Sequence, residues 1–291
     1  MSTAEAGAAE RHRLYWWKEA LIIVVFYVVY SLARNRFGSA KLGPGEPLHA
    51  FTNALRVIRF ERFVGLFHER AIQSWFLGSH RFLWVMNVYY GTAHFAVTIG
   101  AFIWMFVRSP WRFAKWRNTL AFTTIFAIVG FSLFPLMPPR LLDNNGRYGG
   151  ARIEAERNIE PFGFVDTLKT DGGLWSFDSG AMQKISNQYA AMPSLHCAWA
   201  TWCTLVMWPL VRRRWAKALL VLYPVVTLFC IIVTANHYWL DGIGGLVILA
   251  AGFMAGRTLD HWNQRRLGRT PGRSLPVAEG TGDPQPSDAT R

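Results

Sequence analysis

The chain has 291 residues, of which 52% are hydrophobic and 15% aromatic, and its formal net charge is +13. Several apolar runs approach the roughly 20 residues that cross a bilayer, which excludes a soluble domain built around one large core. The basic residues cluster in short gaps between these runs, as in cytoplasmic loops, and this argues against nucleic acid as a partner.

The N-terminal part of the chain predicts one span followed by a surface region. Residues 1–19 form a cytoplasmic segment with a disordered start, and the first span covers residues 20–30. A cleaved signal peptide is the weaker alternative, because no A-x-A-like site follows directly. Residues 37–47 are rich in Gly and Pro and predict a loop. Residues 55–76 mix apolar side chains with arginines and glutamates, which indicates amphipathic helices in the membrane interface or, equally, a solvated charged face.

The middle of the chain predicts two further spans and a cap. Residues 82–107 form the second span and residues 120–134 the third. The second span contains His94, which is costly inside a bilayer unless it faces protein or a wet cavity, so we interpret it as a hydrogen-bonded packing residue. Residues 143–189 are the longest non-apolar stretch and predict an ordered extramembrane cap, which we bound at residues 138–190.

The C-terminal part of the chain predicts the last three spans, at residues 197–210, 218–235 and 240–254. Glycines on the sixth span favour close approach of helices; they are Gly242, Gly244, Gly245 and Gly252. The cysteines lie within predicted spans, where we expect them to act as small apolar fillers; they are Cys197, Cys203 and Cys230. Residues 261–291 become rich in Pro, Gly and Ser and predict a disordered cytoplasmic tail.

Together these elements predict an all-α integral membrane protein with six transmembrane helices, interfacial amphipathic helices and an extracytoplasmic cap. The membrane domain covers residues 20–260. Three basic stretches are expected in the cytoplasm, together with both termini; they are residues 108–117, 212–217 and 257–273. Residues 34–81 oppose this orientation, because they are basic yet would lie outside, where their arginines are expected to attract lipid phosphates.

Two histidines and an aspartate are predicted to meet at the outer face of this multi-pass cell-membrane protein. His237 and Asp241 are four residues apart, so on one helix they share a face. The carboxylate can hold the proton of one imidazole nitrogen and leave the other free to attack phosphorus. His196 begins another helix and is placed to protonate the leaving oxygen. The alternative is that these are interfacial residues with satisfied hydrogen bonds and no catalytic role. The number of such residues on one face argues against it.

The same face offers groups that bind an anion. Arg140 has the fork geometry that suits phosphate oxygens. The start of the fourth span, at Pro193 and Ser194, offers backbone N–H groups, a favourable helix dipole and the Ser194 hydroxyl. No carboxylate-rich cluster accompanies the histidines, so neither a metal ion nor another cofactor is expected.

Two motifs carry a family resemblance. The runs Met192-Pro193-Ser194-Leu195-His196 and Asn236-His237-Tyr238-Trp239-Leu240-Asp241 resemble the second and third signature motifs of the type 2 phosphatidic acid phosphatase superfamily. With Pro138-Pro139-Arg140 upstream, the Pro-Ser-Leu-His form is most similar to the branch of inositol phosphorylceramide synthases and their bacterial relatives. The resemblance implies a six-helix, metal-free enzyme with a phosphohistidine intermediate. It makes His237 the nucleophile, Asp241 its partner and His196 the acid.

The chain also departs from the superfamily pattern. Leu133 stands where the superfamily has a lysine before the first-motif arginine, and Cys230-Ile231 stand where it has Ser-Arg. Leu195 replaces the usual glycine of the second motif. Two cationic phosphate ligands are therefore missing, and the candidates to replace them are Lys184, Asn187 and Asn236.

The predicted function is that of a membrane enzyme of lipid metabolism, a phosphotransferase or phosphatase acting on lipid phosphoesters. We expect it to transfer a phosphoryl-bearing head group, phosphoinositol-like, from a phospholipid to an alcohol acceptor. The first alternative is a phosphatase that uses water as acceptor and hydrolyses a phosphatidic acid- or polyprenyl-phosphate-like lipid. A non-catalytic lipid transporter is the alternative of another class, and the sequence does not predict an oligomeric state.

Overall fold

The computed structural model describes residues 15–37, 46–174 and 187–266, and in these ranges the chain forms helices and no strand. In chain order the helices are α1 (Trp16–Phe37), α2 (Glu46–Phe63), α3 (Glu69–Phe76), α4 (His80–Arg108), α5 (Pro110–Leu133), α6 (Pro139–Leu142), α7 (Ala151–Arg157), α8 (Thr167–Thr170), α9 (Leu195–Met207), α10 (Arg214–Val233) and α11 (Trp239–Arg266). A 3₁₀ turn, Trp208–Leu210, follows α9.

Three of the described helices are long and apolar enough to cross a membrane. They are α4, α10 and residues Trp239–Asn263 of α11, which correspond to the predicted second, fifth and sixth spans. The other three predicted spans fall on α1, α5 and α9, and α9 has only 13 residues. Membrane character is therefore supported, and the count of six spans stays a prediction.

Helix α9 lies at the centre of the bundle, where it packs against α4, α5, α10 and α11. Its fully buried Trp202 donates a hydrogen bond from Nε1 to the carbonyl oxygen of Trp116 on α5, at 3.0 Å. Cys197 and Cys203 on α9 and Cys230 on α10 are buried and unoxidised, in agreement with their predicted role as fillers. The short α9 is thus shielded by its neighbours on several sides.

Glycines bring α11 against its neighbours, as the sequence predicts. A Cβ atom added at Gly245 would lie 2.3 Å from the carbonyl oxygen of Ser194, at the start of α9. One added at Gly252 would lie 2.3 Å from Oγ1 of Thr123 on α5. Both separations are shorter than any side chain tolerates, so only glycine permits these helix contacts at the observed distance.

The predicted basic loop at residues 108–117 is wrong as a loop. Helix α4 ends at Arg108 and α5 begins at Pro110, so the basic residues occupy the first turns of α5. Proline at the first helical position and the good helix propensity of Lys and Arg explain this continuation. The arginines still mark one end of the bundle, because Arg112 donates a hydrogen bond to the Val206 carbonyl oxygen near the end of α9.

Further contacts place the start of α1 and the end of α11 at this basic end. Arg117 on α5 pairs with Glu19 near the start of α1, and Asn118 donates to Oδ1 of Asp260 near the end of α11. Helix α11 continues to Arg266, past residue 261 where the sequence predicts the tail to begin. The rest of that tail and residues 1–14 lie outside the described residues.

Helices α2 and α3 occupy the segment predicted to be interfacial, and α2 contributes to a core. Its Phe51, Val57 and Ile58 are buried against Met137 and Leu142, which precede and end the short α6. Two acids of this segment, Glu61 and Glu69, are fully buried. The interpretation of their charges as part of a solvated face is therefore wrong, because both side chains point into the protein and contact α11.

The described parts of the predicted cap, residues 138–174 and 187–190, are held by side-chain hydrogen bonds. The Asp143 carboxylate accepts the backbone N–H groups of Phe162 at 2.8 Å and Phe164 at 2.6 Å. The Tyr189 hydroxyl donates to the Tyr148 carbonyl oxygen at 2.9 Å. These contacts hold distant parts of the segment to one another, and the assignment of the segment as an extracytoplasmic cap stays a prediction.

Candidate active site

The imidazole of His237 is paired with the carboxylate of Asp241. Nδ1 of His237 lies 3.1 Å from Oδ2 of Asp241, and both side chains are buried. The same Oδ2 accepts the Tyr238 backbone N–H at 2.9 Å. A carboxylate beside Nδ1 favours the tautomer with the proton on that nitrogen, which leaves the lone pair of Nε2 free.

The local structure that makes this contact differs from the predicted one. Helix α10 ends at Val233, and Ala235 takes a left-handed conformation with φ of 52°. His237 therefore lies in the connection before α11, and Asp241 lies in the first turn of α11. The two side chains meet as expected, but the contact joins the first turn of α11 to the residues before it, and the two residues do not share the face of one helix.

The ring of His196, at the second position of α9, lies beside His237. Their ring centroids are 5.6 Å apart, and the His196 ring stacks on Tyr90 at 4.4 Å. The ring of His94 meets it edge-on, also at 4.4 Å. Among the described ion pairs none joins His196 to a carboxylate. The two candidate catalytic histidines therefore have chemically different partners.

His94 confirms its interpretation as a packing residue in part. It contacts Phe95, Trp199 and His196. Its Nδ1 atom, however, is buried without a hydrogen-bond partner in the described structure. The histidine thus faces protein, as expected for this position.

The guanidinium group of Arg140 is held by three side chains. Nε donates to Oδ1 of Asn236 at 3.0 Å, Nη1 to Oδ2 of Asp166 at 3.1 Å, and Nη2 to Oε1 of Gln188 at 2.8 Å. A guanidinium has five N–H bonds, so two are not used by these contacts. Arg140 is therefore fixed in orientation and retains donors for an anion.

A small cleft of about 60 Å³ joins these groups. Its lining includes His237, Arg140 and Tyr90, together with three amide side chains, Asn187, Gln188 and Asn236. His196 lies against two of the wall residues, Tyr90 and His237. The cleft thus places an imidazole, a guanidinium and hydrogen-bonding amides around one space that suits an oxyanion.

The remaining predicted phosphate ligands have different positions. Asn187 lines the cleft, and its Oδ1 accepts the Tyr189 backbone N–H at 3.1 Å. Asn236 acts on Arg140, while its Nδ2 donates to Oγ1 of Thr234 at 2.8 Å. Lys184 lies outside the described residues. Asn187 and Asn236 therefore stay candidates, the second through its hold on Arg140.

Ser194 does not offer the free N–H group that the sequence predicts. Its backbone N–H donates to the Asp241 carbonyl oxygen at 2.9 Å, which joins the start of α9 to the first turn of α11. Its side chain is fully buried, and Oγ has no hydrogen-bond partner in the described structure. The N–H group is used for packing because Gly245 lets the two helices approach so closely.

Four site residues were missed by sequence reasoning. Asp166 and Gln188 hold Arg140 and carried no signal, since both lie in the irregular cap. Glu61 Oε1 accepts the Leu240 backbone N–H at 2.7 Å, and Glu69 Oε1 accepts that of Trp239 at 3.3 Å. The usable signal was that these are the only acids among the arginines of residues 55–76.

Comparison with known proteins gives one family. A family model of the PAP2 superfamily matches residues 55–255. The matched range is more than half of the chain and contains the paired His237 and Asp241, His196 and Arg140. No curated protein and no solved structure matches the chain.

Proposed function

Because the chain belongs to the PAP2 superfamily, we propose that it is a membrane enzyme that transfers a phosphoryl-bearing head group between lipid substrates. Superfamily members are generally phosphatases or phosphotransferases that act on lipid phosphates. The observation that carries the proposal is the His237–Asp241 pair at the wall of a cleft shared with Arg140, with His196 alongside. A site that only binds lipid does not need an imidazole aimed in this way.

In the proposed first step, Nε2 of His237 attacks phosphorus. A P–N bond forms while the P–O bond to the leaving group breaks, and protonated His196 gives its proton to the leaving oxygen. Asp241 stabilises the positive charge that His237 gains, and Arg140 donates to the non-bridging oxygens as their charge grows. The products of this step are a phosphohistidine that carries the head group and a neutral lipid alcohol.

In the proposed second step, a hydroxyl group attacks the phosphohistidine. Its proton moves to the now neutral His196, a P–O bond forms and the P–N bond breaks. His237 and the protonated His196 are both regenerated, so the cycle needs no external proton donor. An alcohol acceptor gives transfer, and water gives hydrolysis.

The charges around the cleft support a phosphodiester substrate over a monoester. Arg140 is the only lysine or arginine among the described residues that line the cleft, and Asp166 balances its charge. A phosphomonoester carries a charge of about −1.5 to −2 at pH 7, whereas a diester carries about −1. Leu133 and Ile231, where the superfamily pattern has cations, lower the positive charge further. A singly charged diester is thus the better match.

The polar wall supports a head group with several hydroxyls. Asn187, Gln188 and Asn236 line the cleft with amide groups, and a wall of this polarity suits a phosphoinositol-like group. This agrees with the inositol phosphorylceramide synthase-like branch that the Pro-Ser-Leu-His motif resembles. The active site would then face the extracytoplasmic side.

A matched pair of lipids tests the proposal. Purified protein in lipid nanodiscs is given phosphatidylinositol with an acceptor, or phosphatidic acid alone, and products are followed by mass spectrometry. The acceptor is ceramide, or a diacylglycerol whose acyl chains differ from those of the phosphatidylinositol. We expect transfer of the diester head group and slow release of phosphate. His237→Ala is the control and should abolish both. Rapid release of phosphate from phosphatidic acid without diester turnover would favour the lipid phosphatase. Folded protein that binds lipid and turns over neither substrate would favour the transporter.

A further inference from the structure

Two buried carboxyl groups from peripheral helices lie against the helix turn that carries Asp241. Oε1 of Glu61 accepts a hydrogen bond from the Leu240 backbone N–H, and Oε1 of Glu69 accepts one from the Trp239 backbone N–H. We propose that Glu61 and Glu69 form a shared-proton pair that positions the first turn of α11, and with it the His237–Asp241 couple. The catalytic part of this inference rests on the proposed function.

The pair completes a full set of backbone hydrogen bonds at the helix start. The first N–H groups of a helix have no partner within the helix and must find one elsewhere. Here the Tyr238 N–H bonds Asp241 Oδ2 and the Asp241 N–H bonds the Tyr238 carbonyl oxygen. Glu69 and Glu61 supply acceptors for the two N–H groups between them. Asp241 is therefore fixed on both sides by backbone that the glutamates hold.

The two glutamates are far in sequence from the N–H groups that they bind. These hydrogen bonds are therefore tertiary contacts and not local helix capping. Glu61 is 179 positions from Leu240, and Glu69 is 170 positions from Trp239. Negative charge near a helix N-terminus is favourable because of the helix dipole. Helices α2 and α3 thus act on the active site without lining its cleft.

The burial of the second carboxyl oxygen of each glutamate indicates a shared proton. Oε2 of Glu61 and Oε2 of Glu69 are both buried without a hydrogen-bond donor in the described structure. A proton held between the two acids satisfies both atoms at once. Burial, and then the neighbouring Glu69, raises the pKa of Glu61 from 4.5 to about 10. The pair therefore retains a proton at neutral pH.

Loss of this proton at alkaline pH would disturb the site. The titratable groups that face the pair from α11 and its approach are Asp241 and Tyr238, with His237 beyond Asp241. A second negative charge would be repelled by Asp241 and would separate the two glutamates. Because the folded protein holds the proton more tightly than the unfolded chain, stability should also fall as pH rises from about 4.5 towards 10.

Three variants test the positioning, first without reference to activity. Hydrogen–deuterium exchange is followed in peptides that cover residues 238–241, with the full chain in nanodiscs. Glu61→Ala removes an acceptor and should speed exchange there roughly 10- to 100-fold, the range for one lost buried hydrogen bond. Glu61→Gln keeps an acceptor for Leu240 and a donor for Glu69, so its exchange should stay close to the wild type. Glu154→Gln, which changes another buried acid beside Asp143, is the matched control and should leave these peptides unchanged.

Turnover on lipid substrate gives the second readout. Glu61→Ala should lower kcat roughly 10- to 100-fold with KM nearly unchanged, because Arg140 is not touched. Glu61→Gln should restore kcat at neutral pH and remove the decline of wild-type kcat as pH approaches 10. Glu154→Gln should keep that decline.

The outcomes separate this inference from the proposed function. Unchanged exchange at residues 238–241 in Glu61→Ala, or a wild-type alkaline decline in Glu61→Gln, would overturn the positioning role. If Glu61→Ala does not fold, Glu61→Gln alone decides through its exchange and pH profile. A wild-type protein with no turnover would count against the proposed function, while the exchange result would still test the anchoring.

Discussion

The imidazole rings of His196 and His237 lie with their centroids 5.6 Å apart at an interplanar angle of 64°. Only His237 has a carboxylate partner, Asp241, whereas His196 contacts the rings of Tyr90 and His94. A carboxylate makes its imidazole a better nucleophile, and a ring without one gives up its proton more readily. The two histidines are therefore suited to the different roles of nucleophile and general acid.

Arg140→Lys should be a damaging change. Three nitrogens of the Arg140 guanidinium bond Asn236, Asp166 and Gln188, and a lysine has one nitrogen that cannot reproduce this geometry. Each charge-assisted hydrogen bond is worth about 1.5–3 kcal/mol, so we expect kcat/KM to fall roughly 10- to 100-fold or more. Steady-state kinetics measure the loss, with the exposed Arg147→Lys as control. Near-normal turnover would mean that another group holds the phosphate.

Asp166→Asn should shift substrate preference towards monoesters. The change removes the charge that balances Arg140 but keeps an oxygen that can accept from Nη1. The site then becomes more positive by one unit and suits a dianion better. The ratio of phosphatidic acid to phosphatidylinositol turnover should rise, and this ratio corrects for any general loss of activity. A constant or lower ratio would show that Asp166 does not set the charge preference.

The helices could be predicted from the sequence better than their contacts. Apolar runs of sufficient length indicate α4, α10 and α11, because helix formation in a bilayer depends on local hydrophobicity. The charges of residues 108–117 predict a loop, whereas Pro110 and the good helix formers after it continue the chain as helix α5. Glu61 and Glu69 are buried by contacts with residues far along the chain. Such tertiary contacts cannot be read from a single sequence.

The sequence indicates that several of the candidate residues lie together, but it gives only part of their geometry. The spacing of His237 and Asp241 correctly indicated their contact. The positive φ of Ala235, which ends α10 early, is not visible from spacing. The N–H group of Ser194 is used within the protein for a related reason, because Gly245 allows the close approach of α9 and α11.

Gly245→Ala should destabilise the protein at the junction of α9 and α11. Its Cβ would lie 2.3 Å from the Ser194 carbonyl oxygen, and backbone must shift to admit it. We expect a loss of roughly 1–3 kcal/mol in unfolding free energy, measured by denaturation in detergent. Gly100→Ala on α4 is the matched control, because no atom lies within 4 Å of its added Cβ. Equal effects of the two changes would contradict the packing described.

Cysteine labelling should place the histidine end of the bundle outside the cell. Asn145 in the cap and Arg212 at the basic end are both exposed, whereas the native cysteines are buried. On intact cells, Asn145→Cys should react with a membrane-impermeant thiol reagent, and Arg212→Cys should react only after permeabilisation. The opposite pattern would reverse the orientation predicted from the basic residues.

Changing the leaving group should separate the two histidines. A leaving group of low pKa needs no general acid, so His196→Ala should keep measurable activity on a p-nitrophenyl phosphodiester but lose it on an alkyl ester. His237→Ala should be inactive on both, because a nucleophile cannot be bypassed in this way. Asp241→Asn should be folded yet strongly impaired, since the other imidazole tautomer is then favoured.

The covalent intermediate is the central claim, and trapping it is the most direct test. His196→Ala is mixed with the activated diester and quenched rapidly at alkaline pH, and the modified residue is located by mass spectrometry. We predict an acid-labile phosphoryl adduct on His237, and none when His237→Ala is treated in the same way. In His237→Ala, an adduct on His196 or activity on the activated ester would contradict the assignment of His237 as the nucleophile.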